Sequence, residues 1–471
     1  MHPPSIVAPP RLSHIPSAAE LAGARVVIWG AGSHGGGIAA GCYCQALGAQ
    51  VAILEQRLPA ELPQTMATAA AHGWPWHIGN SAHPVLRRCD LILASPAIPP
   101  RVLARLPAGH PPVLGCDALF FAHHRGARIA VTGTKGKSTT ANACGVLLDR
   151  PVGGNSHRPL LDLLRRHGPD AGLVCELSSF QLWYLQALAP RIDVAVITNL
   201  STDHLDWHPD VAHYRAAKLR LLDWATVRVH HPELDESIPP ECPARPPEER
   251  VRYDDHGFHT GDGTLIAERA VLRLPGEHNA ANIALALSAV LTTGLGTGIA
   301  GIRLAALTPL PHRLETIHRS NALYFVDDSI ATNPDATAAA LAAIDGPLAI
   351  ILGGADKGHG FTGLADALAR RGAIPICTGT CAPALAAACA AVGLRPRTCP
   401  TLREAVRTAI AALGGGSGTV LLSPACASTD QWHDYAERGD AFATHARELT
   451  HRPDHEPAAE MLPVPPGTGP A

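Results

Sequence analysis

A short glycine-rich run at residues 133–139 has the residue types that bind phosphate groups. It reads GTKGKST and lies between an apolar, β-rich run and a helical pattern. In such a loop, backbone N–H groups surround phosphate oxygens, a lysine reaches the outer phosphates and a hydroxyl contacts Mg²⁺. Lys137 and Ser138 have those positions here. Val131 stands where the longer form of the pattern has glycine, so the run alone leaves a chance glycine turn open.

A second glycine pattern lies near the amino terminus. Residues 30–35 read GAGSHG after an apolar strand pattern, and Glu55 lies near the end of the next strand. This spacing is typical of a loop that places a pyrophosphate on a helix start, which indicates a dinucleotide or a UDP-like ligand. A tight strand-to-helix turn without a ligand is the alternative interpretation.

Three further positions could complete a phosphate-transfer site. Glu176 ends the apolar run AGLVC, so its carboxylate is predicted at the sheet edge beside the phosphate loop, where it could bind Mg²⁺. The alternative is a helix N-terminal acid, an effect of under about 1 kcal/mol. His204 follows the strand DVAVITNL and could be structural, and Lys218 by its pattern alone is a solvated helical lysine.

Strand and helix patterns alternate along most of the chain, which predicts an α/β protein with parallel sheets. Restarts of the alternation divide its 471 residues into three domains. We predict a Rossmann-like domain at 23–116, a central phosphate-binding domain at 117–309 and a second Rossmann-like domain at 310–450. An N-terminal arm (1–22) and a proline-rich tail (451–471), which we expect to be disordered, complete the chain.

Composition excludes several classes of partner. The formal net charge is -3, so no basic footprint for nucleic acid or an anionic membrane is present. The 12 cysteines form no C-x-x-C pair, and we interpret them as reduced and not as metal ligands. The first residues have no continuous apolar segment, so we predict neither a signal peptide nor a membrane span. We expect a cytoplasmic monomer that acts on small metabolites.

Taken in order, nine segments resemble the muramoyl ligase (Mur ligase) family, and within it the glutamate-adding members. The resemblance extends from Val26 to Leu449, and nine ordered motifs are far more specific than one loop. The segments are GTKGKSTT, ELSSFQL, ITNLSTDHLD, YRAAKLR, GEHNAANIALA, PHRLE, DDSIATNPDA, LGGADKG and LLSPACASTDQWHDYAERGDAF.

The resemblance implies a UDP-binding Rossmann-like domain, a central P-loop ATPase domain and a C-terminal Rossmann-like domain that closes over the amino acid. The implied reaction is ATP- and Mg²⁺-dependent addition of glutamate to UDP-N-acetylmuramoyl-L-alanine through an acyl phosphate. In this family the phosphate loop is the shorter G-x-x-G-K-[ST], so Val131 does not contradict it.

The resemblance also implies roles for individual residues. The implied catalytic residues are Lys137, Glu176, His204 and Lys218. The implied magnesium ligands are Ser138, Glu176, His204 and Lys218, the last as a carbamylated lysine. Implied contacts to ATP are Gly133, Thr134, Lys135, Gly136, Lys137, Ser138, Thr139, Asn279, Arg313 and Asp328. Implied contacts to the UDP-linked substrate are Gly30, Gly32, Ser33, Glu55, Asn155, Ser178 and Gln181. Implied contacts to glutamate are Thr332, Lys357, Ser428 and Tyr435.

The chain departs from the family pattern at three places. Lys135 replaces the usual asparagine of the loop and adds a second cation near the phosphates, Ile330 stands where the family carries lysine, and Trp29-Gly30 opens an atypical N-terminal turn. The departures at Ile330 and at the N-terminal turn favour L-glutamate as the acceptor, and D-glutamate is the alternative. Two more distant alternatives are another ligase of the superfamily, such as a folate polyglutamate synthase, and a non-catalytic subunit.

Overall fold

The computed structural model divides the chain into two compact units, Met1–Thr308 and Pro309–Ala471. It describes residues 14–32, 35–155, 158–238, 249–272, 274, 276–308, 310–355, 360–414 and 416–450. The predicted disordered tail and most of the predicted arm lie outside these ranges. Among the described helices, none is both long and apolar enough to cross a membrane.

The first unit begins with a parallel five-stranded sheet in the order β3-β2-β1-β4-β5. Because the strand order reverses beside β1, the loops after β1 and β4 border a crevice at their carboxyl ends. The elements are β1 (Arg25–Trp29), α1 (Gly36–Ala46), β2 (Gln50–Glu55), α2 (Pro63–Ala71), β3 (Trp76–Ile78), β4 (Leu91–Ala94), α3 (Pro100–Leu103), β5 (Val113–Gly115) and α4 (Ala118–His123).

A second parallel five-stranded sheet follows in the order β10-β9-β6-β8-β7, again with a reversal beside its central strand, β6. Its elements are β6 (Arg128–Thr132), α5 (Lys137–Leu148), β7 (Val152–Gly154), α6 (Leu160–His167), β8 (Leu173–Glu176), α7 (Ser179–Leu185), β9 (Ile192–Ile197), α8 (Val211–Asp223) and β10 (Ala225–His230). A small antiparallel sheet and two helices complete the unit: β11 (Arg252–Tyr253), β12 (Gly257–His259), β13 (Leu265–Glu268), α9 (Glu277–Leu291) and α10 (Thr297–Leu304).

One apolar core joins the two parallel sheets of this unit. Ile28 of β1 and Ile197 of β9 belong to the same cluster of buried side chains, together with Leu119, Leu161 and Leu182 from helices. Burial of apolar surface stabilises by roughly 25 cal/mol per Å², so the shared core holds both sheets in one unit. The predicted division of this unit at residues 116 and 117 stays a prediction.

The second unit contains a six-stranded sheet in the order β14-β15-β19-β16-β17-β18, in which only β14 is antiparallel to its neighbour. Its elements are β14 (Glu315–Ser320), β15 (Leu323–Asp327), α11 (Pro334–Ala343), β16 (Leu348–Gly353), α12 (Thr362–Arg371), β17 (Ile374–Thr378), α13 (Ala382–Ala391), β18 (Arg397–Thr398), α14 (Leu402–Ala412), β19 (Gly418–Leu422) and α15 (Tyr435–Thr450). The α/β fold with mainly parallel sheets is therefore as predicted.

Candidate active site

The predicted phosphate loop connects β6 to α5 at the centre of the second sheet. Gly136 immediately precedes the helix and has a φ of 78°, in the left-handed region that glycine tolerates best. A side chain there would also collide with Asn282 of α9, which packs against α5. Backbone sterics therefore require glycine at this position, where the loop leads directly into a helix N-terminus, the part of a helix that attracts anions.

Lys137 is the first residue of α5, and its side chain turns back over the loop. Its Nζ donates hydrogen bonds to the carbonyl oxygens of Gly133 and Thr134, both at 3.0 Å. A lysine held over the loop in this way places its positive charge where the outer phosphates of a nucleotide would lie.

Glu176 is the last residue of β8, the strand that pairs with β6. It lies beside Val131 in the register of the sheet and is only 2% exposed. Asn155 Nδ2 donates a hydrogen bond of 3.1 Å to Oε1 of Glu176. The sheet therefore brings a buried carboxylate next to the strand that carries the phosphate loop, as the sequence predicted.

Lys218 of α8 is fully buried, with only 2% of its surface exposed. Its Nζ donates to the Gly133 carbonyl at 2.8 Å and lies 4.9 Å from the centre of the Tyr214 ring. Burial, and secondarily the charge of Lys137, holds the pKa of the Lys218 amine well below its ordinary value. The interpretation of Lys218 as a solvated helical lysine is therefore wrong. It contacts the phosphate loop directly.

His204 lies in a tight turn after β9 and has a positive φ of 55°. Its backbone N–H donates to Asp203 Oδ1 at 2.9 Å, and its carbonyl accepts from the N–H groups of Trp207 and His208 at 3.1 and 2.9 Å. These hydrogen bonds hold His204 in the left-handed backbone conformation, which costs a residue other than glycine about 1 kcal/mol or more.

Side chains of the same loop, of α7 and of α8 pack around this turn, and sequence reasoning did not identify them. His208, 1% exposed, contacts Ser179 Oγ through Nε2 at 2.9 Å and His213 Nδ1 through Nδ1 at 2.7 Å. Burial is the main reason that the pKa of His208 falls to about 3, so its ring is neutral. Phe180 of α7 stacks on Trp207 and meets His204 edge-on, with ring centres 4.6 and 4.8 Å apart.

The glycine loop after β1 is linked to the end of β2. Gly30 and Gly32 both have positive φ, and the Gly32 N–H donates to Glu55 at 3.4 Å. Glu55, 6% exposed, also accepts from Gln56 and Arg57. Burial acts to raise the pKa of the Glu55 carboxyl, but Arg57 and the backbone donors outweigh it and the pKa is lowered. Ser33, predicted in the same loop, lies outside the described residues.

Ser178 and Gln181, both predicted to contact the UDP-linked substrate, begin helix α7. Ser178 is the N-cap, its oxygen accepts from the Gln181 N–H, and the Gln181 side chain accepts from the Ser178 N–H at 2.8 Å. Gln181 Nε2 also donates to the partly buried carboxylate of Asp117 at 2.8 Å. Burial raises the pKa of Asp117, and the bond from Gln181 opposes that shift.

Asn279, predicted to contact ATP, is in the first turn of α9 and is 7% exposed. The packing of α9 against α5 brings this turn towards the phosphate loop, because Asn282, one turn further on, borders Gly136. Thr140 of α5 also donates to the Asn282 carbonyl at 3.4 Å. Asn279 therefore shares an element with a residue that contacts the loop.

In the second unit, Asp328 follows β15 and is 5% exposed. Its Oδ2 accepts from Ser423 Oγ at 2.7 Å and its Oδ1 accepts from the Leu314 N–H at 3.3 Å. Burial raises the pKa of this carboxyl to about 7, although Ser423 and the nearby charge of Arg313 oppose the shift. The two residues predicted to contact ATP in this unit, Arg313 and Asp328, thus lie near each other.

The raised pKa of Asp328 predicts a pH-dependent stability. The unfolded carboxyl loses its proton near pH 4, whereas the folded one keeps it until about pH 7. The folded state is therefore penalised progressively between those two values, and the full penalty is present above the higher one. Asp328→Asn should raise the thermal midpoint by several degrees above pH 7, with a difference that shrinks towards pH 4.

Thermal unfolding of both proteins between pH 5 and 8.5 measures this difference. Asp366→Asn, at an exposed position of α12, controls for the loss of one negative charge from the same unit. The prediction would be contradicted if the thermal midpoints of Asp328→Asn and the parent differed by the same amount at every pH in this range.

Of the residues predicted to bind glutamate, three lie in the described part of the second unit. Thr332 precedes α11, Ser428 is 4% exposed in the segment after β19, and Tyr435 begins α15. The Tyr435 ring meets that of His312 edge-on, with centres 6.1 Å apart. Lys357, the fourth, lies outside the described residues.

Arg438 of α15 is a further residue that sequence reasoning missed, although it lies within the quoted motif YAERGDAF. It is 3% exposed and donates to Ser329 Oγ and to the carbonyl oxygens of Gly353 and Cys426. It thereby joins the carboxyl ends of two strands to the segment that carries Ser428. Its role in this unit is to hold that edge of the sheet together.

The residues around the phosphate loop fit Mg²⁺ in the type of donor. Ser138 offers a hydroxyl and Glu176 a buried carboxylate, and hard oxygen atoms are the ligands that Mg²⁺ prefers. Across the described ranges, no three His, Cys, Asp or Glu side chains form a cluster that could hold a metal ion. The predicted sites do not depend on such a cluster, since each contains only one residue of these types, Glu176 in the first and His204 in the second.

Two family models match the chain. Residues 131–229 match the Mur ligase middle domain, and residues 312–426 match the glutamate ligase domain of Mur ligases. The first contains the phosphate loop, Glu176, His204 and Lys218, and the second contains Asp328 and Thr332.

Proteins of two names are similar over most of the chain. A UDP-N-acetylmuramoyl-L-alanine–L-glutamate ligase of Xanthomonas euvesicatoria is 36% identical over 386 aligned positions, and the match covers 76% of this chain and 82% of that protein. A UDP-N-acetylmuramoylalanine–D-glutamate ligase of Syntrophotalea carbinolica is 34% identical over 450 aligned positions, and the match covers 90% of this chain and 97% of that protein.

Solved structures share the fold at low identity. UDP-N-acetylmuramate–alanine ligase of Thermotoga maritima has a TM-score of 0.59 and 16% identity, and the match covers 90% of this chain and all of that one. A second ligase from the same organism, crystallised with ADP, has a TM-score of 0.54 and 15% identity, over 92% and 98% of the two chains.

Proposed function

We propose that this chain, which belongs to the Mur ligase family, activates the L-alanine carboxylate at its central site and uses L-glutamate as the acceptor. The ligase reaction itself joins glutamate to UDP-N-acetylmuramoyl-L-alanine at the expense of ATP, in the synthesis of peptidoglycan precursors. The observation that carries the proposal for the central site is the buried Lys218, whose amine contacts the phosphate loop at Gly133.

The first chemical step is transfer of a phosphoryl group. A carboxylate is a poor electrophile, so an oxygen of the L-alanine carboxylate attacks the γ-phosphorus of ATP and ADP leaves, which gives an acyl phosphate. The N–H groups at the start of α5 and the Lys137 ammonium stabilise the charge on the transferring group. For this step Lys137 exchanges its bonds to loop carbonyls for bonds to phosphate oxygens.

The second step forms the amide bond. The glutamate amine attacks the acyl carbon, the tetrahedral intermediate collapses, and inorganic phosphate leaves while the amine loses a proton. Both steps need the two reacting groups to be held without competing water, because water would hydrolyse the acyl phosphate.

Ser138 and Glu176 would hold one Mg²⁺, and His204 with a carbamylated Lys218 would hold a second. Bound magnesium neutralises phosphate charge and orients the phosphate oxygens. Glu176 suits this role because it is buried and its carboxylate has Asn155 as a neutral hydrogen-bond partner.

Carbamylation of Lys218 is supported by the state of its amine. A lowered pKa increases the neutral fraction, and only a neutral amine attacks CO₂. A bond forms between Nζ and the carbon, a proton leaves to solvent, and the product carries a negative charge on two oxygens. A buried cation is thereby converted into an oxygen ligand for a metal.

Thr332, Ser428 and Tyr435, together with Lys357, would bind the acceptor glutamate. L-glutamate is proposed because Ile330 removes a cation from the family's pattern near Thr332 and because the loop at Trp29 is atypical. Inversion of the chiral centre exchanges groups within a pocket, so D-glutamate is the alternative that the experiment must distinguish.

An end-point assay with UDP-N-acetylmuramoyl-L-alanine, ATP, Mg²⁺ and each glutamate enantiomer tests the proposal. Phosphate release and the dipeptide product are both measured, and we expect turnover with L-glutamate to exceed turnover with D-glutamate by at least tenfold. Turnover with D-glutamate alone would overturn the acceptor assignment. Turnover with folate or a UDP-muramoyl dipeptide, without turnover on the alanine substrate, would overturn the ligase assignment itself.

A further inference from the structure

Cys42 differs from the other cysteines in the parts of the chain that the structure covers. It lies in α1 and is only partly buried, whereas the remaining described cysteines are all buried. Its Sγ is 3.6 Å from Nε2 of His72, the C-cap residue that follows α2. A thiol beside an imidazole is the first requirement of an activated cysteine nucleophile.

Gln45 fixes the tautomer of His72. The Gln45 amide nitrogen donates to the His72 carbonyl oxygen at 3.1 Å, so its Oε1 is the atom that faces His72 Nδ1 at 2.7 Å. Because Oε1 can only accept, the hydrogen of the neutral ring must be on Nδ1. Nε2 is then the basic nitrogen, and it is the one that faces the Cys42 thiol.

Packing also holds the His72 ring in place. It stacks on Trp74, with ring centres 5.0 Å apart and an angle of 25° between the planes. Trp74 is itself 5% exposed and lies against Gly41, where any side chain would overlap the indole ring. The imidazole is therefore pre-positioned, and the thiol beside it is only partly buried, so that a small reagent can reach it.

We propose that Cys42, His72 and Gln45 form a thiol–imidazole–amide triad that makes Cys42 a site of covalent modification by peroxides and other soft electrophiles. In the reaction with hydrogen peroxide, Sγ attacks one oxygen while its proton passes to His72 Nε2 and the O–O bond breaks. The leaving hydroxide takes up the proton as water, and the product is a sulfenic acid.

Activation in this triad comes from His72 as a general base and not from a standing thiolate. Partial burial raises the pKa of the Cys42 thiol, and the charge of Arg165 opposes that shift. The proton must therefore be removed as the new bond forms, which is the function of an imidazole within hydrogen-bond reach.

The rate of alkylation by iodoacetamide tests the triad. Cys242 lies outside the described residues, so it is replaced by serine in every variant, and modification of each peptide is followed by mass spectrometry. His72→Phe keeps the stacking on Trp74 but removes the base, and it should slow alkylation of Cys42 at least about tenfold. Gln45→Leu keeps the base but releases its tautomer, and it should slow the reaction a few-fold.

The controls separate activation from simple exposure. His83→Phe changes a histidine in the loop after β3, whose ring centre is 5.2 Å from that of His77, and it should leave the rate at Cys42 unchanged. Peroxide followed by dimedone should label Cys42 in the parent and much less in His72→Phe. Equal alkylation rates in the parent and in both triad variants, with unchanged thermal midpoints, would overturn the proposal.

Discussion

Replacing Lys218 with methionine or alanine should lower the rate of phosphate release by about a thousandfold, the scale on which one well-placed electrostatic group acts in a transition state. The buried amine contacts the phosphate loop and, once carbamylated, would supply a metal ligand. Methionine keeps the apolar stem and most of the volume, so loss of activity with that variant reports on the amine and not on a cavity.

Two measurements link this loss to carbamylation. The parent enzyme, freed of CO₂, should gain activity on addition of bicarbonate, and neither variant should respond. With ¹³C-bicarbonate, a carbamate resonance should appear in the parent and be absent from Lys218→Met. The sequence contains only four lysines, which makes the assignment tractable.

Lys135→Ala is the matched control, because this exposed lysine is on the same loop. Its Nζ is 3.9 Å from Asp203, and such half-exposed pairs contribute little to stability. We expect a much smaller loss than at Lys218 and an unchanged response to bicarbonate. Phosphate release near the parent's rate in Lys218→Met would make the catalytic assignment wrong.

Glu176→Gln should lower turnover about a hundredfold at millimolar Mg²⁺ and raise the Mg²⁺ concentration needed for half-maximal activity at least tenfold. Removal of one charged group from a site of this kind costs roughly 3 kcal/mol. The amide has the same shape and can still accept the hydrogen bond from Asn155. High Mg²⁺ should restore part of the lost activity. It would not restore activity that was lost through a folding defect.

Glu55→Gln is the matched control for this variant. Glu55 is also a buried carboxylate at the end of a parallel strand in the same unit, but it belongs to the glycine loop of the other sheet. The Glu55→Gln substitution should raise the KM for the UDP-linked substrate and leave the Mg²⁺ requirement of the enzyme unchanged. If Glu176→Gln had the Mg²⁺ requirement of the parent, Glu176 would not be a magnesium ligand.

Local sequence was sufficient for the elements whose geometry depends on neighbouring residues. The conformation of the loop after β6 could be predicted because few residue types satisfy its backbone angles, and Gly136 shows both a positive φ and a lack of space for a side chain. The position of Glu176 followed from one topological rule, since carboxyl ends of parallel strands meet at one edge of a sheet. The resemblance to the family supplied the roles that these rules could not.

Contacts between residues distant in sequence could not be predicted in this way. Lys218 has a pattern that suits the surface, and only the packing of α8 against the phosphate loop buries it. His208 joins Ser179 of α7 to His213 of α8, and nothing in the spacing of these residues indicates such a chain. Ser178 and Gln181, predicted as substrate contacts, also form the start of a helix, and Asp117 completes that network.

The sequence by itself therefore determined the class of fold, the conformation of the glycine-rich loop after β6 and the family, because strand-helix alternation, glycine positions and ordered motifs are local properties. Tertiary structure alone decided which polar side chains are buried, which atoms they contact and how their pKa values shift. The physical reason is that burial and hydrogen bonding depend on which elements pack together, as when α8 places the Lys218 amine against Gly133.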